Sequence, residues 1–410
     1  MARPNKYDAE RFGRFDGLLP NVSGKIEPLR DGKPKELDVK NLPAGEWVER
    51  GVYRTETIVP YGRTYGSSIF SQPEQNLHLL KEWGAGERSV FLDLETTGLS
   101  GGTGTYAFMV GLGFCEGDHF KVVQLFLAGP GWEKNWLSVL ESELPERYGL
   151  VTYNGRTFDL PLLRTRYTLL RAAPSWNAAP HMDLLLLSRH FYKGRYLSCS
   201  LSSIESNVLG VHRSGEDIPG REIPYIYTQF LKSSDAGPLR GVFYHNTLDI
   251  ISLAALQAKI GSLLSMEGCS GEDLIRCGDL LHMKGRQEEA HSAWEQAMQS
   301  AEASWKANLR FAEHYKGLGD YENAREHYVR ALEKELLPLD TLENLAKLEE
   351  HHFKNYASAL AYAERALEWL DSCRAIRDYK WKLERHNVSY RIERLNRKIS
   401  GKSDGGGDAI

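Results

Sequence analysis

Residues 90–108 read VFLDLETTGLSGGTGTYAF, and two opposed readings meet in them. An apolar run carries two carboxylates, Asp93 and Glu95. A glycine-rich loop follows, in which Gly102-Thr103-Gly104-Thr105-Tyr106-Ala107 fits G-x-G-x-x-A. In a strand, residues two apart point to the same face. Two carboxylates on one face repel each other, and burying them is costly unless a cation neutralises them. Magnesium and manganese prefer such oxygen ligands. The glycine loop points instead to a dinucleotide. That fingerprint must open a helix after a strand, with an acid about 20 residues on. Here the next segment, AFMVGLGF, reads as a strand, and the candidate acids Glu116 and Asp118 come too early. Asp93 and Glu95 would also repel a pyrophosphate. The metal reading is kept, and the glycines become a hairpin connection. No G-x-x-x-x-G-K-[ST] loop occurs.

Outward from this stretch the pattern is α/β over residues 86–262. SVFLDLE, AFMVGLGFCE and FKVVQLFLA read as three strands, the last two antiparallel across Glu116-Gly117-Asp118. A helix near 133–145, the strand-like GLVTYNG and helices near 159–171 and 183–192 follow. Ser202-Ser203-Ile204-Glu205 reads as a capping box. Asp249 is expected to open the last helix, IISLAALQAKIGSLLS. Residues 1–85 read as an N-terminal extension of short strands and loops.

Two further segments carry acids. In VTYNGRTFDLPLL, a strand runs into a turn at Asn154-Gly155 and Asp159 opens a helix. As an isolated residue it would be an N-cap. In FYHNTLDIISL, Asp249 follows a Tyr and a His by about one turn.

Together the three segments resemble the motifs of the DEDD (DnaQ-like) 3′–5′ exonuclease superfamily. They match D-x-E-T-T at Asp93–Thr97, N-x-x-x-F-D at Asn154–Asp159, and a final segment ending in Asp249. The subfamily resembled is that of the YprB-like predicted exonucleases, with a similar LETTGLSGGTGTYAF loop. D-L-L-x-L-S at Asp183–Ser188, D-I-P-G at Asp217–Gly220 and H-N-x-x-D are further shared segments. The resemblance implies a ribonuclease H-like domain, a mixed sheet flanked by helices, over 86–262. It also implies hydrolysis of phosphodiester bonds in single-stranded DNA or RNA with two divalent cations, Mg²⁺ or Mn²⁺. Asp93, Glu95, Asp159 and Asp249 would hold the metals. Thr96, Thr97, Gly98, Asn154, Arg156, Phe158 and Tyr244 would contact substrate. The final motif departs from the superfamily's Tyr-x3-Asp and His-x4-Asp classes: Tyr244 is five residues before Asp249 and His245 four. His245 is favoured as the group that accepts the proton or orients the water, with Tyr244 as the alternative.

Downstream, over 268–372, an internal repeat is visible. Gly285, Ala290, Trp294 and Ala297 recur 34 residues on as Gly319, Ala324, Tyr328 and Ala331, and a third copy holds Ala359, Ala363 and Ala366. This period resembles tetratricopeptide repeats, helix pairs that bury an apolar face by stacking. An all-α repeat domain able to recruit a protein partner is expected. Residues 373–410 read as a basic helix and a disordered tail. The helix, 374–399, has nine Lys/Arg against three acids and reads as a cap with a solvated face, or else as a contact for nucleic acid or an acidic partner.

Composition adds bounds. The net charge of −4 excludes a uniformly basic nucleic-acid binder, so any anionic polymer needs a local patch. Residues 156–195 offer one: Arg156, Arg164, Arg166, Arg171, Arg189, Lys193 and Arg195, interleaved with Phe158, Tyr167, Trp176, Phe191 and Tyr192. That mixture suits a groove for a single strand. Cys115, Cys199, Cys269, Cys277 and Cys373 form no C-x-x-C and fit a reducing cytoplasm. No apolar h-region opens the chain and no membrane span is expected. The rival to an enzyme is a scaffold: a degenerate nuclease domain that binds nucleic acid while the repeats recruit a partner.

Overall fold

The computed structural model describes residues 42–98, 104–213, 217–334, 338–372 and 379–401. Gly101, Gly102, Cys373 and the glycine-rich tail lie outside them. The strands are β1 (Gly45–Glu49), β2 (Val52–Pro60), β3 (Thr64–Tyr65), β4 (Ser68–Ile69), β5 (Ser89–Thr96), β6 (Ala107–Glu116), β7 (His119–Leu127), β8 (Gly149–Thr152) and β9 (His181–Asp183). Seven of them form one mixed sheet in the order β1-β2-β7-β6-β5-β8-β9, while β3 and β4 pair apart. β5 is antiparallel to β6 and parallel to β8. β2 runs along the length of β7, from Val52 opposite Leu127 to Pro60 opposite His119. The sheet therefore extends into the segment ahead of residue 86.

Six helices accompany the sheet: α1 (Glu133–Glu143), α2 (Asp159–Leu169), α3 (Leu184–Tyr192), α4 (Leu201–Ile204), α5 (Ile223–Ser233) and α6 (Leu239–Leu264). The central strands read as near-continuous apolar runs because both faces are covered. Val90, Leu92 and Leu94 enter one core with Trp136, Leu163 and Tyr227, whereas Phe91 enters a second with Leu187, Ile250 and Leu253. Alternation places Asp93 and Glu95 on the Phe91 side, toward α6.

Two expectations are corrected here. Asp249 does not open a helix: α6 starts at Leu239 and carries Tyr244, His245 and Asp249 in its interior. The cap of α4 is Ser200, whose hydroxyl accepts from the Ser203 amide, and Ser202 lies inside the helix. By length and composition α6 could cross a membrane, and among the described residues no other helix could. Its apolar residues instead fill the two cores.

The approach of α6 to the sheet depends on two glycines of β6. A Cβ at Gly111 would stand 2.3 Å from Asn246 Oδ1, and one at Gly113 2.7 Å from Ile250 Cγ2. Their absence lets the helix lie against β6, beside Asp93, which pairs with Gly111.

Seven helices follow: α7 (Gly271–Met283), α8 (Gln287–Met298), α9 (Ser304–Leu318), α10 (Tyr321–Leu332), α11 (Leu339–Leu348), α12 (Tyr356–Ser372) and α13 (Tyr379–Ile399). The repeated residues play repeated parts. Ala290, Trp294 and Ala297 on α8, Ala324, Tyr328 and Ala331 on α10, and Ala359, Ala363 and Ala366 on α12 are all buried. Gly285 and Gly319 take left-handed backbone at φ 76° and 78°, ahead of α8 and α10. Lys354, at φ 55°, does so ahead of α12. The third copy thus keeps the turn without the glycine. Four of the five cysteines are described, and all four are free.

Candidate active site

Three chain segments converge at the end of β5. β5 itself supplies Asp93 and Glu95, the start of α2 supplies Asp159, and α6 supplies His245 and Asp249. On a helix, residues four apart share a face. His245 Nε2 accordingly lies 3.5 Å from Asp249 Oδ2. One ligand atom from each of Glu95, His245 and Asp249 lies within 4.8 Å of the other two, a spacing that a single cation can span. Glu95 is 8% exposed. Its Oε1 is buried with no hydrogen-bond partner among the described residues.

The electrostatics are those of charge without sufficient counter-charge. Burial, then the charges of Asp249 and Asp159, raise Asp93 well above the ordinary carboxylate range, against the pull of the Asn246 hydrogen bond. Burial, then the charges of Asp93, Asp249 and Asp159, do the same to Glu95. Burial raises Asp159 to about 7, with Asp183 and Asp249 adding to it. Carboxylates so placed either stay protonated or take a cation.

A polar chain fixes Asp93. Thr55 Oγ1 donates to Gln124 Oε1 at 3.1 Å, Gln124 Nε2 to Asn246 Oδ1 at 2.9 Å, and Asn246 Nδ2 to Asp93 Oδ2 at 3.0 Å. Asn246 is fully buried, so its amide can face only one way. The turn before Asp159 hangs on Asp183, whose carboxylate accepts from the amides of Asn154, Arg156 and Leu185 at 2.8, 3.1 and 3.1 Å. Asp183 is thus the N-cap of α3 and the anchor of that turn.

The other sequence-predicted site residues fall into two groups. Thr96, Thr97 and Asn154 serve the backbone. Thr96 Oγ1 donates to Gly98 O at 2.8 Å, and Thr97 Oγ1 accepts from the Tyr106 amide at 3.0 Å, closing the hairpin expected of the glycine loop. Asn154 turns the chain at φ 64° and accepts from Thr157 Oγ1 at 2.7 Å. Arg156 is exposed and Phe158 half-buried. Gly104 has open space beside its Cα. Tyr244 lies off the face shared by His245 and Asp249.

The basic groove is corrected. Arg166 is 4% exposed and forks onto Glu133 at 2.5 and 2.6 Å, with its guanidinium 4.0 Å over the Tyr106 ring. Tyr167, Trp176, Phe191 and Tyr192 are core residues, not stacking platforms. Arg195 pairs with Asp273 at 2.5 Å. Arg156, Arg171, Arg189 and Lys193 remain exposed.

Sequence reasoning missed Arg213 and Glu205. The Arg213 guanidinium bonds Glu205, Asp217 and Asp249. Burial opposes its charge, but these partners outweigh burial and raise its pKa. Asp217 opens the D-I-P-G segment, and its Oδ1 is 2.8 Å from His245 Nδ1.

A mixed sheet with acids converging from a central strand and two helices defines a ribonuclease H-like nuclease domain, and residues 90–260 match the RNase_H superfamily. The chain is 31% identical over 365 residues to "Uncharacterized protein YprB" of Bacillus subtilis (strain 168), covering 84% of this chain and 86% of the relative. The chain therefore belongs to the YprB family, and its residues 90–260 form an RNase_H superfamily domain. Nucleases of that superfamily generally hydrolyse phosphodiester bonds and typically use divalent metals.

Proposed function

We propose that the protein is a metal-dependent 3′–5′ exonuclease of single-stranded DNA or RNA. The observation that carries this is the open carboxylate cluster: Glu95 Oε1 buried without a partner, within reach of His245 and Asp249. Asp93, Glu95 and Asp249, with Asp159 beside them, have the oxygen donors that Mg²⁺ or Mn²⁺ takes. Bound there, two such ions would lower the pKa of a water and neutralise charge on the phosphate and the leaving oxygen. The chain's own part is to hold the acids in place: Asn246 on Asp93, and the Asp183-anchored turn under Asp159. His245 Nε2, beside Asp249 Oδ2 at 3.5 Å, orients the attacking water or accepts its proton. The direction of attack rests on the resemblance to DEDD exonucleases. The helical repeats, read as tetratricopeptide-like, would dock a protein partner.

A second reading has one observation in its favour. Arg213 already sits on Asp249, as a fixed cation would in a domain that binds nucleic acid without cutting it. Single-stranded DNA and RNA labelled at the 5′ end, incubated with protein and Mn²⁺, separate the two. A ladder shortening from the 3′ end, absent with Asp93→Ala, is expected. Retained binding without cleavage of any substrate would leave only the scaffold.

A further inference from the structure

Behind the carboxylate cluster lies a second set of charged groups with no part in the reaction as read above. Glu205 is 1% exposed, in the wide helical turn Glu205–Leu209 that follows α4. Arg213 forks onto it, Nε to Oε2 at 2.9 Å and Nη2 to Oε1 at 2.6 Å. Ser252 Oγ, on α6, donates to Glu205 Oε1 at 2.5 Å and meets Tyr65 OH at 2.7 Å. Glu205 is therefore held by Arg213 and by Ser252, with Tyr65 behind the serine.

The outer edge of the same guanidinium faces the site. Nη2 bonds Asp249 Oδ1, and Nη1 donates to Asp217 Oδ2 at 3.2 Å. Asp217 Oδ1 stands 2.8 Å from His245 Nδ1, and Arg213 Nη1 itself lies 3.2 Å from that nitrogen. The other ring nitrogen, Nε2, is turned toward Asp249 Oδ2 at 3.5 Å. One guanidinium thus ties together three carboxylates from separate parts of the chain. A buried ion pair adds little net stability over an apolar pair, so stability alone does not account for a hub of this kind.

We propose that Arg213 is a positioning residue: locked by Glu205, it holds Asp249 directly and the His245 ring through Asp217. Asp249 is thereby kept at the distance from Glu95 that a shared divalent cation spans, and His245 Nε2 stays beside it, where it can meet the water. The role rests on the metal-site reading above. Outer groups that orient metal ligands typically change metal affinity 10–100-fold when removed.

Mn²⁺ binding by the full-length protein, followed by calorimetry and by the electron spin resonance of free Mn²⁺, tests this apart from turnover. Arg213→Gln is expected to weaken Mn²⁺ binding about 10–100-fold and to lower kcat, with KM for a single-stranded oligonucleotide within about 3-fold of wild type. Glu205→Gln should weaken it in the same direction, and the double variant should bind no worse than Arg213→Gln alone, as expected for groups acting as a unit. Arg213→Lys keeps the charge but not the fork, and should restore less than half of the lost binding energy. If the wild type binds Mn²⁺ and folded Arg213→Gln binds it as tightly or more tightly, the positioning role is overturned and the metal site stands. If Arg213→Gln does not fold, undiminished affinity in Arg213→Lys overturns it equally. A wild type that binds no Mn²⁺ overturns the metal reading itself, and this role with it.

Discussion

Glu95 and Glu350 are both buried glutamates, one at the end of β5 and one between α11 and α12, and their surroundings treat them in opposite ways. Glu350 is 1% exposed and accepts from Arg391, Arg394 and Lys398 of α13 at 2.8, 2.6 and 2.9 Å. Burial alone would raise its pKa, but the bonds from Lys398 and Arg394 hold it at about 2. Glu95 has one carboxylate oxygen with no partner, and its nearest charges are other acids. The first cluster is electrically closed and fastens the terminal helix. In the second, buried acids face one another, with the Arg213 guanidinium on Asp249. The basic residues of α13, which composition offered as a nucleic-acid contact, are partly spent on this fastening, and Arg385 is spent on Asp371.

The same substitution at the two positions should therefore have opposite effects. Glu350→Gln leaves three cations facing a neutral group and should cost about 3 kcal/mol. The rate of cleavage per folded molecule should stay unchanged. Glu95→Gln removes a buried acid whose neighbours are chiefly other acids. In EDTA it should leave stability equal or higher, while cleavage falls by about 10³-fold or more. Urea unfolding of both variants in EDTA, beside single-turnover cleavage in Mn²⁺, reads both effects. A Glu95→Gln protein destabilised as much as Glu350→Gln would end the distinction.

The two clusters should also respond oppositely to pH. The folded-state pKa of Glu350, about 2, lies below its ordinary value, so its contribution is present above about 4.5 and is lost as pH falls toward 2. Asp159 is raised from 3.8 to about 7, so its effect has the opposite sign. Stability around the metal-free site is lost as pH rises through about 7. Amide-exchange protection in EDTA should weaken in α13 at low pH, and in β5 and α6 as pH rises from about 4 to about 7. Added Mn²⁺ should abolish the second slope and leave the first. Flat protection of β5 and α6 across that range in EDTA would mean that the acids are neutralised in some other way.

The legibility of these regions in the sequence differed for physical reasons. Asp93, Glu95, Asp159 and Asp249 each stand in a short local pattern, and the alternation of β5 alone gives the first two their common side. The start of α6 was hidden because Asn246, a buried polar residue, interrupts the apolar face formed by Val242, Phe243 and Ile250. Arg213 left no signal at all: it lies in an irregular stretch, and its partners Glu205 and Asp249 meet it only in the folded chain. The supposed basic groove failed because composition counts charges and aromatic rings without their directions. Arg166 points inward to Glu133, and Trp176 fills a core. The place of β2 was equally unreadable, since its pairing with β7 joins segments far apart in the chain. The helical repeats were legible because the turn glycines and buried alanines recur at a fixed period. Their third turn shows the limit, with Lys354 where a glycine was the signal.

The finest contrast lies within α6, between adjacent residues. At 100° per residue, Asp249 is about 40° round the helix from His245 but about 140° from Tyr244. His245 Nε2 is accordingly 3.5 Å from Asp249 Oδ2, and its other nitrogen is held by Asp217. Tyr244 stands on a different face of the helix. Tyr244→Phe, which removes only the hydroxyl, should change kcat less than about 3-fold and act, if at all, on KM. His245→Ala should cost about 10²–10⁴-fold in kcat, the range of a lost acid–base group. Single-turnover rates at saturating oligonucleotide separate the two effects. A large kcat loss in Tyr244→Phe would mean that the tyrosine swings toward the phosphate when substrate binds, and the swapped spacing of the final motif would then have moved the water-orienting role to Tyr244.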